Sequence, residues 1–302
     1  AENAVKDYID HIKATVPFAL DGMRIALDCA NGSASRTAER LFTELGAQVY
    51  MLSDQPNGVN INDNCGSTHP QQLCMLVSEL GADVGLAFDG DADRCLAVDE
   101  KGKEIDGDQI MAVCAEYLTA QGKLRSEGFV ATVMSNLGLH KFCEENHLKL
   151  LCAAVGDRNV LELMQKESMV LGGEQSGHII FLEHMTTGDG QLAALQFLSI
   201  LGQSGKKASE LAGQITHYPQ LLQNVKVGSN EEKTAILNSA ELAAIVAREE
   251  EKLAGHGRIL LRASGTEPLI RVMAEADTQD LAELVVKTLV QAVENIQKIL
   301  NK

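Results

Sequence analysis

Residues 82–99 read Ala82-Asp83-Val84-Gly85-Leu86-Ala87-Phe88-Asp89-Gly90-Asp91-Ala92-Asp93-Arg94-Cys95-Leu96-Ala97-Val98-Asp99. The two ends of this stretch are small and apolar, which predicts two short buried strands. Between them, three aspartates stand at every second position and an arginine follows. The stretch therefore predicts a strand–loop–strand unit whose loop carries three carboxylates.

Three carboxylates on so short a loop repel one another and raise each other's pKa values unless a cation lies among them. A hard divalent ion with oxygen ligands, Mg²⁺ first among them, relieves that repulsion. Arg94 adds a planar donor suited to a phosphate. A solvated acidic turn is the alternative that stays open. An EF-hand calcium loop is excluded, because Arg94 stands where that loop requires Gly and because the flanks are strand-like rather than helical.

The composition is that of a soluble globular protein of two or three domains, with 302 residues, 45% hydrophobic and 23% charged. The net charge is −16, from 26 basic and 42 acidic residues, which argues against nucleic acid or an anionic membrane as a partner. No apolar run reaches membrane-spanning length and no signal-peptide pattern opens the sequence. Seven cysteines without a C-x-x-C pair predict reduced thiols in a cytoplasmic protein, with a zinc site as the less favoured alternative.

Alternating strand and helix signals predict α/β units over most of the chain, beginning with a strand–helix–strand unit of the kind that builds a parallel sheet. Apolar strands followed by a long helix predict a smaller α+β domain at the C-terminal end. The predicted domains are two α/β domains at residues 1–106 and 107–218, and the α+β domain at residues 219–302.

Two local features of the predicted helices have ordinary structural interpretations. Asp106 or Asp108 is suited to cap the helix that follows them. The charge run Arg248–Lys252 is typical of the solvated face of a helix.

A second polar loop, Arg262-Ala263-Ser264-Gly265-Thr266-Glu267-Pro268-Leu269-Ile270-Arg271, joins two apolar strands of the C-terminal domain. Two hydroxyls, a glycine that lets backbone N–H groups turn toward a ligand, and two arginines are what a phosphate monoester requires. A hairpin whose Gly and Pro only make the turn, with the arginines as edge charges, fits the spacing equally well. Both interpretations stay open on spacing alone.

A third polar loop, Glu174-Gln175-Ser176-Gly177-His178, also lies between two apolar strands. Glu174 and Ser176 are separated by one residue, so both side chains can face a cleft and bind sugar hydroxyls. His178 is a candidate for proton transfer near neutral pH. Taken alone, His178 is more typical of a surface histidine in a polar hairpin. Asp157 and Arg158 are either part of the site or a salt-bridged helix start.

The three loops occur in one order, each in its own part of the chain, and in this form they resemble the loops of the α-D-phosphohexomutases. Four further motifs are similar to those of the bacterial branch of this family that acts on glucosamine phosphates. They are Asp28-Cys-Ala-Asn-Gly32, Asn57-Gly-Val-Asn-Ile-Asn62, Val155-Gly-Asp-Arg158 and Thr186-Thr-Gly-Asp-Gly190. The resemblance covers essentially the whole chain.

The resemblance implies four domains around a cleft. The first three are related α/β domains, of which two, with mixed sheets, lie in this chain, and the last is a smaller cap that grips the substrate phosphate. It implies Mg²⁺ on Asp89, Asp91 and Asp93, with Arg94 and His178 as the catalytic candidates. The implied ligands of the sugar and its phosphate are Glu174, Ser176, Asp157, Arg158, Arg262, Ser264, Gly265, Thr266 and Arg271. The implied reaction interconverts glucosamine 6-phosphate and glucosamine 1-phosphate through a phosphoserine enzyme and a bisphosphate intermediate, for UDP-N-acetylglucosamine synthesis.

One feature of the family is not found in these residues. The Ser-His-Asn-Pro loop that carries the phosphoserine does not occur, and Ser67-Thr-His-Pro70 is similar only superficially. We therefore expect a three-domain portion that binds Mg²⁺ and a hexosamine phosphate but is inactive alone. Two alternatives stay open. One is phosphomannomutase or phosphoglucomutase activity, which the motif Val155–Arg158 disfavours, and the other is a non-catalytic phosphosugar-binding protein. The oligomeric state is also open, with a homodimer among the candidates.

Overall fold

The computed structural model describes residues 3–264 and 267–300. The chain divides into two compact units. The first comprises the chain up to Ser135 together with Leu139–Ile215, and the second comprises Asn136–Gly138 together with the chain from Thr216 onward. Among the described residues, no helix combines the length and the apolar character that crossing a bilayer requires.

The first unit begins with a five-stranded mixed sheet. Its strands are β1 (Arg24–Asp28), β2 (Gln48–Leu52), β3 (Val84–Phe88), β4 (Cys95–Asp99) and β5 (Glu104–Ile105), and its helices are α1 (Ala4–Lys13), α2 (Ala38–Glu44) and α3 (Gln71–Leu80). The strand order is β2-β1-β3-β4-β5. Strand β1 pairs in parallel with β2 and β3, whereas β4 is antiparallel to both β3 and β5.

The second sheet of this unit repeats that arrangement. Its strands are β6 (Gly128–Thr132), β7 (Lys149–Ala153), β8 (Leu171–Gly173) and β9 (Ile179–Phe181). They lie in the order β7-β6-β8-β9, with β6 parallel to β7 and β8 and with β9 antiparallel to β8. The helices from this part of the chain are α4 (Gly107–Ala120), α5 (Leu137–Glu145), α6 (Asp157–Glu167), α7 (Gly190–Ser204) and α8 (Ala208–Ala212). The repeated strand order confirms the prediction of two related α/β parts with mixed sheets.

The two sheets of the first unit share one apolar core, to which α4 and α7 contribute fully buried residues such as Ile110 and Phe197. The start of α4 is fixed by a capping box. Asp106 Oδ1 accepts from the N–H of Gln109 at 3.0 Å, and Gln109 Oε1 accepts from the N–H of Asp106 at 3.2 Å. The predicted role of Asp106 as a helix cap is therefore confirmed.

The second unit is an antiparallel sheet covered by helices. Its elements are β10 (Gln220–Lys226), α9 (Asn230–Leu237), α10 (Ala240–Leu253), β11 (Gly257–Ala263), β12 (Leu269–Ala276) and α11 (Gln279–Leu300). The strands lie in the order β10-β12-β11. Buried residues of α11, among them Val286, Leu289 and Val293, form a core with the sheet. The predicted α+β architecture is confirmed.

Two details of the sequence prediction are wrong. Helices α8 and α9 were not predicted, because five and eight residues with few apolar positions give little periodic signal. The run Arg248–Lys252 is not wholly solvated, because Glu249 is fully buried and accepts from Lys252 Nζ at 2.8 Å through both carboxylate oxygens. The domain boundaries proposed after Asp106 and Tyr218 stay predictions.

Candidate active site

The loop Asp89–Arg94 is the turn of the hairpin formed by β3 and β4. Phe88 pairs with Cys95, and both strands are buried throughout, so the hairpin fixes the position of the loop. The N–H of Ala92 donates to the carbonyl oxygen of Asp89 at 3.1 Å, and the N–H of Arg94 donates to Asp89 Oδ1 at 3.2 Å. Asp89 is only 9% exposed, which argues against a simple solvated acidic turn.

The three predicted metal ligands lie together. One carboxylate oxygen from each of Asp89, Asp91 and Asp93 lies within 4.8 Å of the other two. Burial, followed by the charges of Asp93 and Asp91, raises the pKa of Asp89 to about 7. Asp93 Oδ1 is buried and has no hydrogen-bond partner among the described residues. A mutually repulsive set of oxygen donors with an unsatisfied buried acceptor fits a hard divalent cation such as Mg²⁺.

Arg94 lies beside these carboxylates without forming a close ion pair. Its Nε is 3.8 Å from Asp93 Oδ1 and 3.9 Å from Asp89 Oδ2. In the described part of the chain this buried Nε has no hydrogen-bond partner, although the side chain is 38% exposed. The guanidinium is therefore available to an added anion, as its predicted role requires.

The predicted sugar-binding loop is the hairpin between β8 and β9. Glu174 is 9% exposed, and its Oε1 accepts from the N–H of Gly156 at 2.9 Å. Its Oε2 accepts from the hydroxyl of Ser176 at 3.3 Å, and Ser176 is exposed. Glu174 thus links this hairpin to the turn that precedes Asp157, and the two predicted sugar ligands contact each other.

His178 is buried, at 1% exposure, so the surface histidine expected from its hairpin position alone is wrong. Its Nε2 lies 3.7 Å from Asp93 Oδ2, and its Nδ1 lies 3.5 Å from Asp157 Oδ1. Gly188 packs against the ring, because a Cβ at that position would lie 2.3 Å from Nε2. The structure therefore brings His178 together with one predicted metal ligand and one predicted substrate ligand.

The two hairpins of the first unit are joined through their backbones. Arg94 and His178 form an antiparallel bridge, and the N–H of Cys95 donates to the carbonyl of Gly177 at 3.0 Å. Gly177 has a φ of +92°, and a Cβ there would lie 2.4 Å from the carbonyl oxygen of Cys95. Only glycine fits both constraints, which explains its place in the loop.

Asp157 and Arg158 occupy the start of α6, and they behave differently. Asp157 faces His178 as described above. Arg158 is exposed, and its Nε donates to Oε1 of Glu162 at 2.7 Å, one turn further along the helix. This ion pair is what a salt-bridged helix start predicts for Arg158, and its role as a substrate ligand stays a prediction.

A polar cavity of about 260 Å³ lies next to the acidic loop. Its lining includes Tyr8, Asp91, Asp93, Asp189 and Gln191. Asp189 caps α7 by accepting from the N–H of Leu192 at 2.9 Å, and both of its carboxylate oxygens accept from the Tyr8 hydroxyl at 3.0 Å. Tyr8 was missed from the sequence, since in α1 it is part of an ordinary amphipathic pattern. Asp189 lies in the motif Thr186–Gly190, and that motif was the sequence signal from which Asp189 could have been found.

In the second unit, Arg262 and Arg271 stand directly opposite each other on β11 and β12. Both Nε atoms are buried and have no hydrogen-bond partner among the described residues. Burial, and then the charge of Arg271, lower the pKa of Arg262. Two adjacent guanidinium groups whose Nε atoms are unsatisfied among the described residues favour an anion between them, which is the phosphate-site interpretation of this loop.

Ser264 follows Arg262 and is 2% exposed. Its N–H donates to the carbonyl of Leu269 at 3.0 Å, and its Oγ accepts from the N–H of Glu267 at 3.2 Å. Gly265 and Thr266, the other two predicted members of this site, lie outside the described residues. Lys233 of α9 was missed, although its Nζ donates to the carbonyl oxygen of Ser264 at 2.7 Å.

Comparison with known proteins agrees with this combination of fold and loops. Residues 6–102 match the phosphoglucomutase/phosphomannomutase alpha/beta/alpha domain II, residues 106–218 match domain III and residues 222–292 match the C-terminal domain of that family. The chain therefore belongs to the phosphoglucomutase/phosphomannomutase family, the α-D-phosphohexomutases.

Its relatives at about half identity are phosphoglucosamine mutases. That of Clostridium novyi is 51% identical over 97% of this chain, and that of Anoxybacillus flavithermus is 54% identical over 91%. The chain spans 65% and 61% of the lengths of these relatives. The fold is also that of the Aspergillus fumigatus N-acetylphosphoglucosamine mutase solved with GlcNAc-6P and magnesium, with a TM-score of 0.77 at 21% identity over 96% of this chain and 64% of the other.

Proposed function

We propose that these 302 residues are part of a phosphoglucosamine mutase, which interconverts glucosamine 6-phosphate and glucosamine 1-phosphate for UDP-N-acetylglucosamine synthesis in the cytoplasm. The observation that carries the proposal is about 50% identity to phosphoglucosamine mutases over nearly the whole chain. The presence of all three polar loops supports it, since each has the chemistry that one part of a phosphorylated sugar requires.

In this proposal, Asp89, Asp91 and Asp93 hold Mg²⁺. When bound, the ion neutralises charge on the phosphoryl oxygens during transfer. The clustering of the three carboxylates supports the assignment, as does the magnesium in the related Aspergillus fumigatus structure. Arg94 adds a second positive charge at the transferring group, because its Nε lies beside the carboxylates and has no hydrogen-bond partner among the described residues.

The remaining predicted residues bind and orient the sugar phosphate. Glu174 and Ser176 exchange their mutual hydrogen bond for sugar hydroxyls, and Arg262, Ser264 and Arg271 bind the phosphate that is not transferred. His178 holds or releases a proton at Nε2 or Nδ1, since each nitrogen faces a carboxylate. Asp157, Arg158 and residues 265–266 complete the predicted ligand set.

The phosphoryl donor in this proposal is a serine that is not among these 302 residues. They are then expected to bind Mg²⁺ and glucosamine 6-phosphate without turnover, because phosphoryl transfer requires donor and acceptor oxygens held in line. Supplying a phosphoserine-bearing domain from a phosphoglucosamine mutase is expected to give turnover. Turnover by the 302 residues alone would contradict this part of the proposal.

A binding panel tests the substrate assignment. Glucosamine 6-phosphate, glucose 6-phosphate and mannose 6-phosphate are titrated calorimetrically into the chain with and without Mg²⁺. We expect the amino sugar phosphate to bind most tightly. Equal affinity for all three sugars contradicts the choice of glucosamine, and no binding of any of them contradicts the mutase assignment.

A further inference from the structure

Lys233 is a buried cation that the predicted chemistry of the loops does not use. It lies on α9 in the second unit and is 7% exposed. Its Nζ donates to the carbonyl oxygen of Ser264 at 2.7 Å and to that of Glu267 at 3.3 Å. Both acceptors are neutral backbone groups. Burying an ammonium costs free energy, and two neutral carbonyl acceptors offset that cost less than a carboxylate would.

The two carbonyl groups that Lys233 holds are not arbitrary. Ser264 and Glu267 are the residues on either side of positions 265–266, in the middle of the predicted phosphate loop. They are also bonded to each other, through Ser264 Oγ and the N–H of Glu267 at 3.2 Å. Lys233 therefore holds both flanks of positions 265–266 through their carbonyl groups.

The surroundings of this loop carry an excess of positive charge. Arg262 and Arg271 stand opposite each other where the strands meet the loop, and each has a buried Nε without a hydrogen-bond partner among the described residues. Lys233 adds a third cation bonded to the same ten-residue segment. An anion at the loop relieves the repulsion between the two arginines.

We infer that Lys233 is a positioning residue of the anion site formed by Arg262, Ser264 and Arg271. Its ammonium holds the carbonyl groups of Ser264 and Glu267 and so keeps the backbone of the loop in its binding conformation. The inference rests on the proposed function, because it takes this loop to be the one that binds the substrate phosphate.

The test measures phosphate binding by variants of the whole chain. Lys233→Met removes the charge, Lys233→Gln keeps a donor without the charge, and Lys226→Met removes an exposed lysine of β10 as a matched control. Glucosamine 6-phosphate and inorganic phosphate are titrated into each variant, with thermal unfolding as the check of folding. We expect Lys233→Met to weaken binding of both probes about tenfold or more, Lys233→Gln to lie between, and Lys226→Met to stay within about twofold of wild type.

A folded Lys233→Met variant that binds both probes as wild type overturns the inference and leaves the proposed function intact. Absence of glucosamine 6-phosphate binding by the wild-type chain overturns the proposed function, and the inference with it. If neither Lys233 variant folds, NMR on the wild-type chain decides. Phosphate must then shift the Lys233 ¹⁵Nζ resonance together with the Ser264 and Glu267 amides, and unchanged resonances overturn the inference.

Discussion

His178 Nε2 lies 3.7 Å from Asp93 Oδ2, so a side chain from the second sheet of the first unit contacts the acidic loop of the first sheet. The two residues are 85 positions apart in sequence, and the backbone bridge between Arg94 and His178 sets their separation. The relationship makes the acidic loop and the Glu174–His178 hairpin one cluster.

Asp91→Asn is expected to lower the affinity for Mg²⁺ by about tenfold or more, because it removes one of three clustered carboxylates while keeping the size of the side chain. Asp63→Asn, a change at an exposed aspartate of another loop, is the matched control and should leave the affinity unchanged. Mg²⁺ titration by calorimetry makes the measurement. An equal loss of Mg²⁺ affinity in both variants would mean that the ion responds only to the overall charge of the chain.

The affinity for Mg²⁺ is also expected to depend on pH near neutrality. Since the pKa of Asp89 is raised to about 7, a fall from pH 7 to pH 6 should weaken binding about fivefold, with uptake of a proton by Asp89. Calorimetry in buffers of different ionisation enthalpy measures the proton released per ion bound. If the Mg²⁺ affinity is the same at pH 6 and at pH 7, the assignment of Asp89 as a ligand is contradicted.

The same pKa shift sets the pH dependence of stability in the absence of metal. When a carboxyl has a higher pKa in the folded state than in the unfolded state, its contribution to stability is largest below the unfolded-state pKa. That contribution is lost as the pH rises through the folded-state pKa, which is about 7 for Asp89. Metal-free chain should therefore lose part of its thermal stability between about pH 4 and pH 7, and Mg²⁺ should restore it. Asp89→Asn should flatten this part of the profile; an unchanged profile in that variant assigns the effect to other groups.

Gly188→Ala is expected to displace the His178 ring, because the new methyl group would lie 2.3 Å from Nε2. We expect a stability loss of about 1–3 kcal/mol and a changed His178 ring resonance. Gly228→Ala is the control, since its nearest neighbour is the flexible side chain of Glu232. Histidine-selective NMR and thermal unfolding make the comparison, and an unmoved ring in the Gly188 variant contradicts the packing described for it.

Arg262→Met separates stability from binding. Because Arg262 faces Arg271 directly, removing one charge should leave the free energy of unfolding unchanged or raise it by up to about 1 kcal/mol. The same change should weaken phosphate binding about tenfold or more, since a charged hydrogen-bond donor is lost. A variant that loses stability while binding phosphate normally would identify the pair as structural edge charges.

Sequence patterns predicted what depends on local chemistry. The acidic hairpin and the strands around it follow from an apolar run interrupted by polar residues, and Asp106 was identifiable as a cap from its position before a helix. The predicted hairpin at Glu174–His178 is present, but the burial of His178 depends on Gly188 and Asp157, which approach it only in the folded chain.

Residues that act through tertiary contacts gave no comparable signal. Tyr8 and Asp189 are 181 positions apart, and Lys233 lies in a short helix without a marked apolar period. Glu249 is one charge among five in sequence, and only the packing of α10 shows that it is the buried one. In each case the residue type was visible, whereas the partner that gives it a role was not.

A crystal structure of the chain soaked with Mn²⁺, an anomalous-scattering substitute for Mg²⁺, in the presence of glucosamine 6-phosphate tests the metal site most directly. We expect one strong anomalous peak within bonding distance of the carboxylates of Asp89, Asp91 and Asp93. A peak at another site, or no peak with these three carboxylates turned toward solvent, would contradict it.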